Sequence, residues 1–166
     1  MMTPEARDLL RRQLKYHEGS ELVTYLDTEG ILTVGCGHNC EASPTYHIIC
    51  RAISKVGDTI TLEEEKQLLD HDIDTAMAGA EKVVPEFDDL SPSRQAVIVD
   101  MVFNLGAGRL VHFSKMLEAV STQDWTEAAT EMLDSHWAEQ VGSRATRLAL
   151  MMRDDLSFRD ALIAVP

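Results

Sequence analysis

The stretch KYHEGSELVTYLDTEGILTVGCGH, Lys15 to His38, decides the fold, because its hydrophobic period changes part-way along. Up to Glu18 the pattern is helical. Thr3 and Pro4 suit an N-cap and a first helical position, and Ala6, Leu9, Leu10 and Leu14 follow on one face. Gly19 supplies a stop. After it, ELVTYLD and ILTVG are rich in β-branched and apolar residues and flank Thr28-Glu29-Gly30. The sequence therefore predicts a helix over 4–18, then a β-hairpin with a three-residue loop ending in glycine.

That hairpin places polar groups in a particular way. With a loop of Thr28 to Gly30, Asp27 pairs opposite Ile31 and Tyr25 opposite Thr33. Strand alternation then puts Tyr25, Asp27, Ile31 and Thr33 on one face, and Leu22, Leu26, Leu32 and Val34 on the other, apolar face. Asp27 and Thr33 become diagonal neighbours, roughly 7–8 Å apart at the backbone. Glu18 arrives from a different element, the C-terminal end of the helix, where the backbone dipole disfavours a charged carboxylate. Two carboxyls in contrasting surroundings suit acid and base roles, and glycoside hydrolysis uses such a pair. On spacing alone the same residues also fit an ordinary helix end and surface turn.

Further along, Ser43-Pro44 opens a short helix through TYHIICRAI. Thr61 and Glu64 form a capping box for a long helix to about Val83, ended by Pro85. Ser91-Pro92 starts a helix that is apolar nearly all round and so reads as buried. Shorter helices are predicted over 110–120, 124–134, 136–140 and 144–153, the last capped by Ser143. The expected fold class is α+β, predominantly helical. A small lobe with the hairpin covers about 15–60, a connecting helix 61–84, and an all-helical lobe 85–166 plus the helix at 4–18.

At 166 residues the chain is one domain by length. Its net charge of −13 argues against nucleic acid, which needs a basic footprint. The charge is uneven: −2 over residues 1–60, −8 over 61–91 and −3 over 92–166. The acidic segment reads as solvated helix faces. No run of about 18 apolar residues is present, so no membrane span is expected. The first residues lack a signal peptide's apolar core and cleavage site, so a cytoplasmic location is expected. Cys36, Cys40 and Cys50 are too few for a disulfide scaffold. The run GCGHNC puts Cys36, His38 and Cys40 together, but at a spacing and number unlike a zinc site; no metal and no cofactor are expected.

The signature Glu18-x8-Asp27-x5-Thr33, followed by VGCGH, resembles the bacteriophage lysozymes of the T-even type, glycoside hydrolase family 24. HDIDTAM resembles that family's long interlobe helix, RQAVIVDMVFNLG its buried central helix, and WTEAATEMLDSHWAEQVGSRATRL its C-terminal segment. The likeness runs over about residues 9–150. It implies a lysozyme-like two-lobe fold and an endolysin that cuts peptidoglycan glycan strands between the lobes. Glu18 would be the general acid, and Asp27 and Thr33 would hold the attacking water, giving inversion. His38 and Asp72 match a structural pair. Phe103, Asn104, Gln140 and Arg144 match substrate-facing positions, as does Arg147. The implied setting is a monomer held in the host bacterial cytoplasm until a holin-like pore releases it to the wall.

Some positions depart from the pattern: Cys36 where a larger residue is usual, Asn39 for an apolar one, and Met116 and Glu131 where small polar groups are expected. Other readings on the same fold are a muramidase effector against rival bacteria, a lytic transglycosylase, and a catalytically silent wall-binding or tail module.

Overall fold

The computed structural model describes residues 2–166. Helix α1 is Pro4–Glu18, and the Ala6 N–H donates to the Thr3 hydroxyl at 3.2 Å, the expected cap. Strands β1 (Glu21–Leu26), β2 (Leu32–Gly35) and β3 (His38–Asn39) form an antiparallel sheet in that order. Tyr25 pairs with Thr33, and the Asp27 N–H donates to the Ile31 carbonyl at 3.0 Å, so the hairpin register is the expected one. The third strand, two residues long, carries no periodic signal. It exists because Gly35 and Gly37, at φ +64° and +79°, fold the chain back along β2.

One face of the hairpin differs from expectation. Leu26 is 56% exposed instead of packed. The outer edge of β1 is covered by the segment after Ser54. Thr24 N–H donates to the Asp58 carbonyl at 2.8 Å, its hydroxyl to the Lys55 carbonyl at 2.7 Å, and Ile60 N–H to the Leu22 carbonyl at 2.8 Å. These bonds reach Thr24 and no further, and Leu26 lies beyond them. Leu22, Leu32 and Val34 do pack, with Cys40, Ile49, Ile53, Ile60 and Leu68.

Helix α2 is only Tyr46–Ile49. Cys50, at φ +55°, breaks it short of the expected length. The Thr45 hydroxyl then holds the chain that follows, donating to the Arg51 carbonyl at 2.8 Å and accepting from Ile53 N–H at 2.9 Å. Helix α3 (Leu62–Val83) opens on the expected capping box: Thr61 N–H donates to Glu64 at 2.8 Å, and Glu64 N–H to the Thr61 hydroxyl at 3.1 Å.

The chain divides into two compact units, one of Leu10–Thr75 and one joining the residues up to Leu9 with Ala76–Pro166. The divisions fall inside α1 and α3; the sequence reading starts its small lobe at about 15 and keeps 61–84 as one connecting helix. The second unit holds α4 (Pro92–Leu105), capped by Ser91 and buried from Gln95 to Val102. Around it come α5 (Ala107–Leu110), α6 (Ser114–Ser121), α7 (Trp125–Leu133), α8 (His136–Val141), α9 (Ser143–Asp154) and α10 (Phe158–Ala164). The single helix expected at 110–120 is two, because the backbone leaves the helical region at Phe113. Gly142, at φ +57°, caps α9, so Ser143 is its first residue and not its cap. Helix α10, capped by Ser157, was not anticipated. Helix α9 packs against α4, α7, α8 and α10 and carries much of this unit's core. Among the described residues no helix is long and apolar enough to cross a membrane.

The capping box gives a direct check. Thr61→Ala removes the acceptor for Glu64 N–H and is expected to lower stability by about 1 kcal/mol. Urea unfolding followed by circular dichroism measures it.

Candidate active site

The unit Leu10–Thr75 holds Glu18, Asp27 and Thr33 together. Asp27 is fixed by its own turn: Oδ1 accepts from Glu29 N–H at 2.8 Å and Ile31 N–H at 2.9 Å. This Asx arrangement is why Asp suits the start of a tight loop. Buried Thr33 donates its hydroxyl proton to the Ile31 carbonyl at 3.0 Å. Its oxygen lone pairs remain as acceptors. Glu18, half-buried at the end of α1, lies near the turn after β2: a Cβ built on Gly37 would sit 4.0 Å from Glu18 Oε2. Tyr25 marks where these groups converge. Its phenol pKa is raised by burial and by the charges of Glu21, Asp27 and Glu18, with a further push from Cys36.

Behind these residues is a buried carboxylate that sequence reasoning missed. Glu65, on α3, is 0% exposed. It accepts from Lys15 Nζ at 2.5 Å, from the Ser20 hydroxyl, and from Cys36 Sγ at 3.5 Å. Burial alone would raise its pKa, but the hydrogen bonds from Lys15 and Ser20 and the Lys15 charge bring it below the ordinary glutamate value. Cys36 is the converse: burial and the neighbouring Glu65 push its thiol up to about 12. That thiol is an unreactive donor, since the thiolate is the nucleophile. A signal for Glu65 was present, because it falls in phase with Leu68, Leu69 and Ile73 on the buried face of α3.

His38 is buried, and Nδ1 faces Asp72 Oδ2 at 2.8 Å and Oδ1 at 3.0 Å. Nε2 faces the Ser43 carbonyl at 2.8 Å. Both nitrogens meet acceptors, which suits the doubly protonated ring. Burial opposes that charge, yet the bonds and charge from Asp72 and the Ser43 carbonyl outweigh it and raise the pKa. With both ring nitrogens engaged, and Cys36 bonded to Glu65, the GCGHNC run has no ligand set turned toward a common point.

The substrate-facing positions suggested by the resemblance lie in the second unit. Phe103 is half-buried and Asn104 exposed at the end of α4. Asn104 Oδ1 accepts from Trp137 Nε1 at 2.9 Å, and Trp137 stands edge-on to Phe113, centroids 6.2 Å apart. Phe113, Trp137 and exposed Gln140 line a groove of about 550 Å³ that also takes in Met116 and Glu131. Glu131 pairs with Lys115 at 3.5 Å, while Met116 is buried. Arg144 is buried and bound to Asp100, with Nε at 2.9 Å and a terminal nitrogen at 2.8 Å from Oδ1. Arg147, also buried, donates to the Val165 carbonyl at 3.1 Å. Asp100 sits in the middle of the apolar run of α4, and its pairing was not read from the sequence.

The sequence profile of phage lysozyme matches residues 15–154. The chain belongs to the phage lysozyme family. It is 29% and 30% identical to probable T4-type lysozymes 2 and 1 of Dictyostelium discoideum, over 84% of this chain and 90% of each relative. It is also 31% identical to the pre-baseplate central spike protein Gp5 of Enterobacteria phage T4, over 86% of this chain but 27% of that protein. Family membership supports a lysozyme-type glycosidase.

The His38–Asp72 pair has a pH signature. Folding raises the His38 pKa, so the stabilisation is complete below the ordinary histidine value of 6.5 and is lost as pH rises through the raised one. Asp72→Asn should therefore cost about 3 kcal/mol near pH 5.5 and clearly less at pH 9. Denaturant titrations of both proteins at the two pH values measure the difference.

Proposed function

We propose that the chain is an endolysin-type muramidase. It hydrolyses the β-1,4 bond between N-acetylmuramic acid and N-acetylglucosamine in bacterial peptidoglycan, with inversion at the anomeric carbon. Glu18 protonates the glycosidic oxygen. Asp27 and Thr33 hold the water that attacks from the opposite face.

The observation that carries this reading is the hydrogen bonding of Asp27 and Thr33. Thr33 spends its proton on the Ile31 carbonyl, so its oxygen can only accept from a water. Asp27 carries both turn N–H bonds on Oδ1, so its carboxylate is held fixed by the backbone. A water that donates one hydrogen to each of these oxygens has its lone pair turned toward the sugar. Such positioning before reaction is a large part of the catalytic effect expected of the site. Phe103, Asn104 and Gln140 contact the glycan in this reading, and Arg144, set by Asp100, aids them.

The biological role that fits is host lysis. The enzyme stays in the host cytoplasm until a holin-like pore releases it. The match to a central spike protein supports a second reading, the same glycosidase as a wall-cutting module of a phage particle. Fractionating an infected culture separates them: free enzyme in the lysate supports the first, and enzyme that sediments with particles supports the second.

Two outcomes test the chemistry. Purified peptidoglycan should yield new reducing ends and no anhydro ends, read by mass spectrometry, and Glu18→Gln should lower the rate by about 10²- to 10⁴-fold. Anhydro products, or a Glu18→Gln variant as active as the parent, contradict the mechanism. The charge distribution predicts a further behaviour. With most negative charge in residues 61–91 and little in the hairpin region, binding rests on sugar contacts. Activity should then change less than about two-fold between low and physiological ionic strength. A steep loss in a salt titration counts against it.

A further inference from the structure

We propose that Glu65 is a positioning residue for Glu18, holding the helix end and the facing turn at the spacing the acid needs. The inference rests on the reading of Glu18 as the general acid.

A carboxylate at this place needs a reason. Glu65 is on the apolar face of α3, wholly buried, beside Leu68 and Leu69. A leucine there would pack without the cost of desolvating a charge, and buried ion pairs are often no more stabilising than apolar packing. What a leucine cannot do is gather donors. The donors that Glu65 gathers all border Glu18. Lys15 is one helical turn before it on α1. Ser20 follows it, just past the Gly19 stop. Cys36 immediately precedes Gly37, the residue whose Cβ position lies 4.0 Å from Glu18 Oε2.

The fit is close on the strand side as well. A Cβ on Gly35 would come within 3.3 Å of Glu65 Cγ and 3.7 Å of Ile60 Cδ1. The stem of Glu65 therefore lies directly against the end of β2. One buried carboxylate thus ties the last turn of α1, the start of the following segment and the turn after β2. These three pieces of backbone decide where the Glu18 carboxyl stands relative to Asp27 and Thr33. Misplacing a reacting group by about 1 Å can cost about 10²-fold in rate. Cys36, the unexplained departure in the sequence, has a role here: a small buried donor with room for the glutamate beneath it.

The test compares variants on purified peptidoglycan at 25 °C, with folding verified by circular dichroism. Glu65→Ala should lower kcat about 10- to 100-fold, with KM within about two-fold. Lys15→Met with Glu65→Gln removes both charges of the pair but keeps an amide oxygen for Ser20 and Cys36, and it should regain most of the lost kcat. Ser20→Ala with Cys36→Ala keeps the Lys15–Glu65 pair, and with it the fold, and should lose about 10-fold in kcat. The inference is overturned if Glu65→Ala keeps kcat within two-fold of the parent. It is equally overturned if the Lys15→Met, Glu65→Gln protein is no better than Glu65→Ala, or if the Ser20, Cys36 double variant keeps full kcat. A parent protein that releases no reducing ends overturns the muramidase reading itself, and this inference with it, whereas an active parent isolates the role of Glu65.

Discussion

The hairpin turn after Asp27 is the constraint on which the rest depends. Four bonds close it: Asp27 N–H to the Ile31 carbonyl, Gly30 N–H to the Asp27 carbonyl, and two backbone N–H groups onto Asp27 Oδ1. Together they fix the register in which Tyr25 faces Thr33. A slip of one residue would turn Thr33 to the other side of the sheet and bring Leu32 and Val34 out of the core. The Ile31 carbonyl accepts both the Asp27 N–H and the Thr33 hydroxyl, each at 3.0 Å. The same carbonyl therefore sets strand pairing and the direction in which the Thr33 oxygen can accept. Folding and the chemistry proposed for this face are written into the same few atoms.

The turn that follows β2 anchors this face from behind. Cys36 reaches Glu65 and His38 reaches Asp72. The two acids are seven residues apart on α3, two helical turns along one face and about 10 Å in rise. Two residues of a tight turn are thus stapled to one helix at two levels. Gly35 and Gly37 are needed because the backbone on either side of Cys36 runs through positive φ, and at Gly35 the glutamate stem leaves little space for a side chain.

Much of this was legible in the sequence, for reasons particular to each element. Helix α1, the hairpin register and the Thr61–Glu64 cap rest on local chemistry: a cap three residues ahead, a glycine at a turn, alternation over six residues. Local rules therefore found them. What was missed depends on contacts outside the one helical turn or one strand pair that local rules cover. The exposure of Leu26 follows from where the segment around Asp58 stops covering β1. The early end of α2 follows from Thr45 holding Arg51 and Ile53. The burial of Arg144 follows from Asp100, 44 residues away. In each case the contact is set by the fold and not by the local pattern of residues.

The acidity of residues 61–91 shows the same distinction in a more general form. As composition, ten acids against two bases read as solvated helix faces. In the structure the first three turns of α3 are otherwise. Glu64 closes the helix cap and takes two hydrogen bonds from Arg51, which with the Thr61 N–H hold its pKa down at about 2. Glu65 binds Lys15, Asp70 binds Arg11 at 2.6 Å, and Asp72 binds His38. Two of those bases come from α1, one from α2's trailing segment and one from β3. The negative charge of this half-helix is therefore the common partner for cations from α1, from β3 and from the segment after α2. Arg11 and Lys15 are one turn apart on α1, and they meet Asp70 and Glu65 on α3 in reversed order, so the two helices run antiparallel past each other with opposite charges matched. Such a match sets the register of α1 on α3, and Glu18 lies one turn beyond Lys15 on the helix so registered.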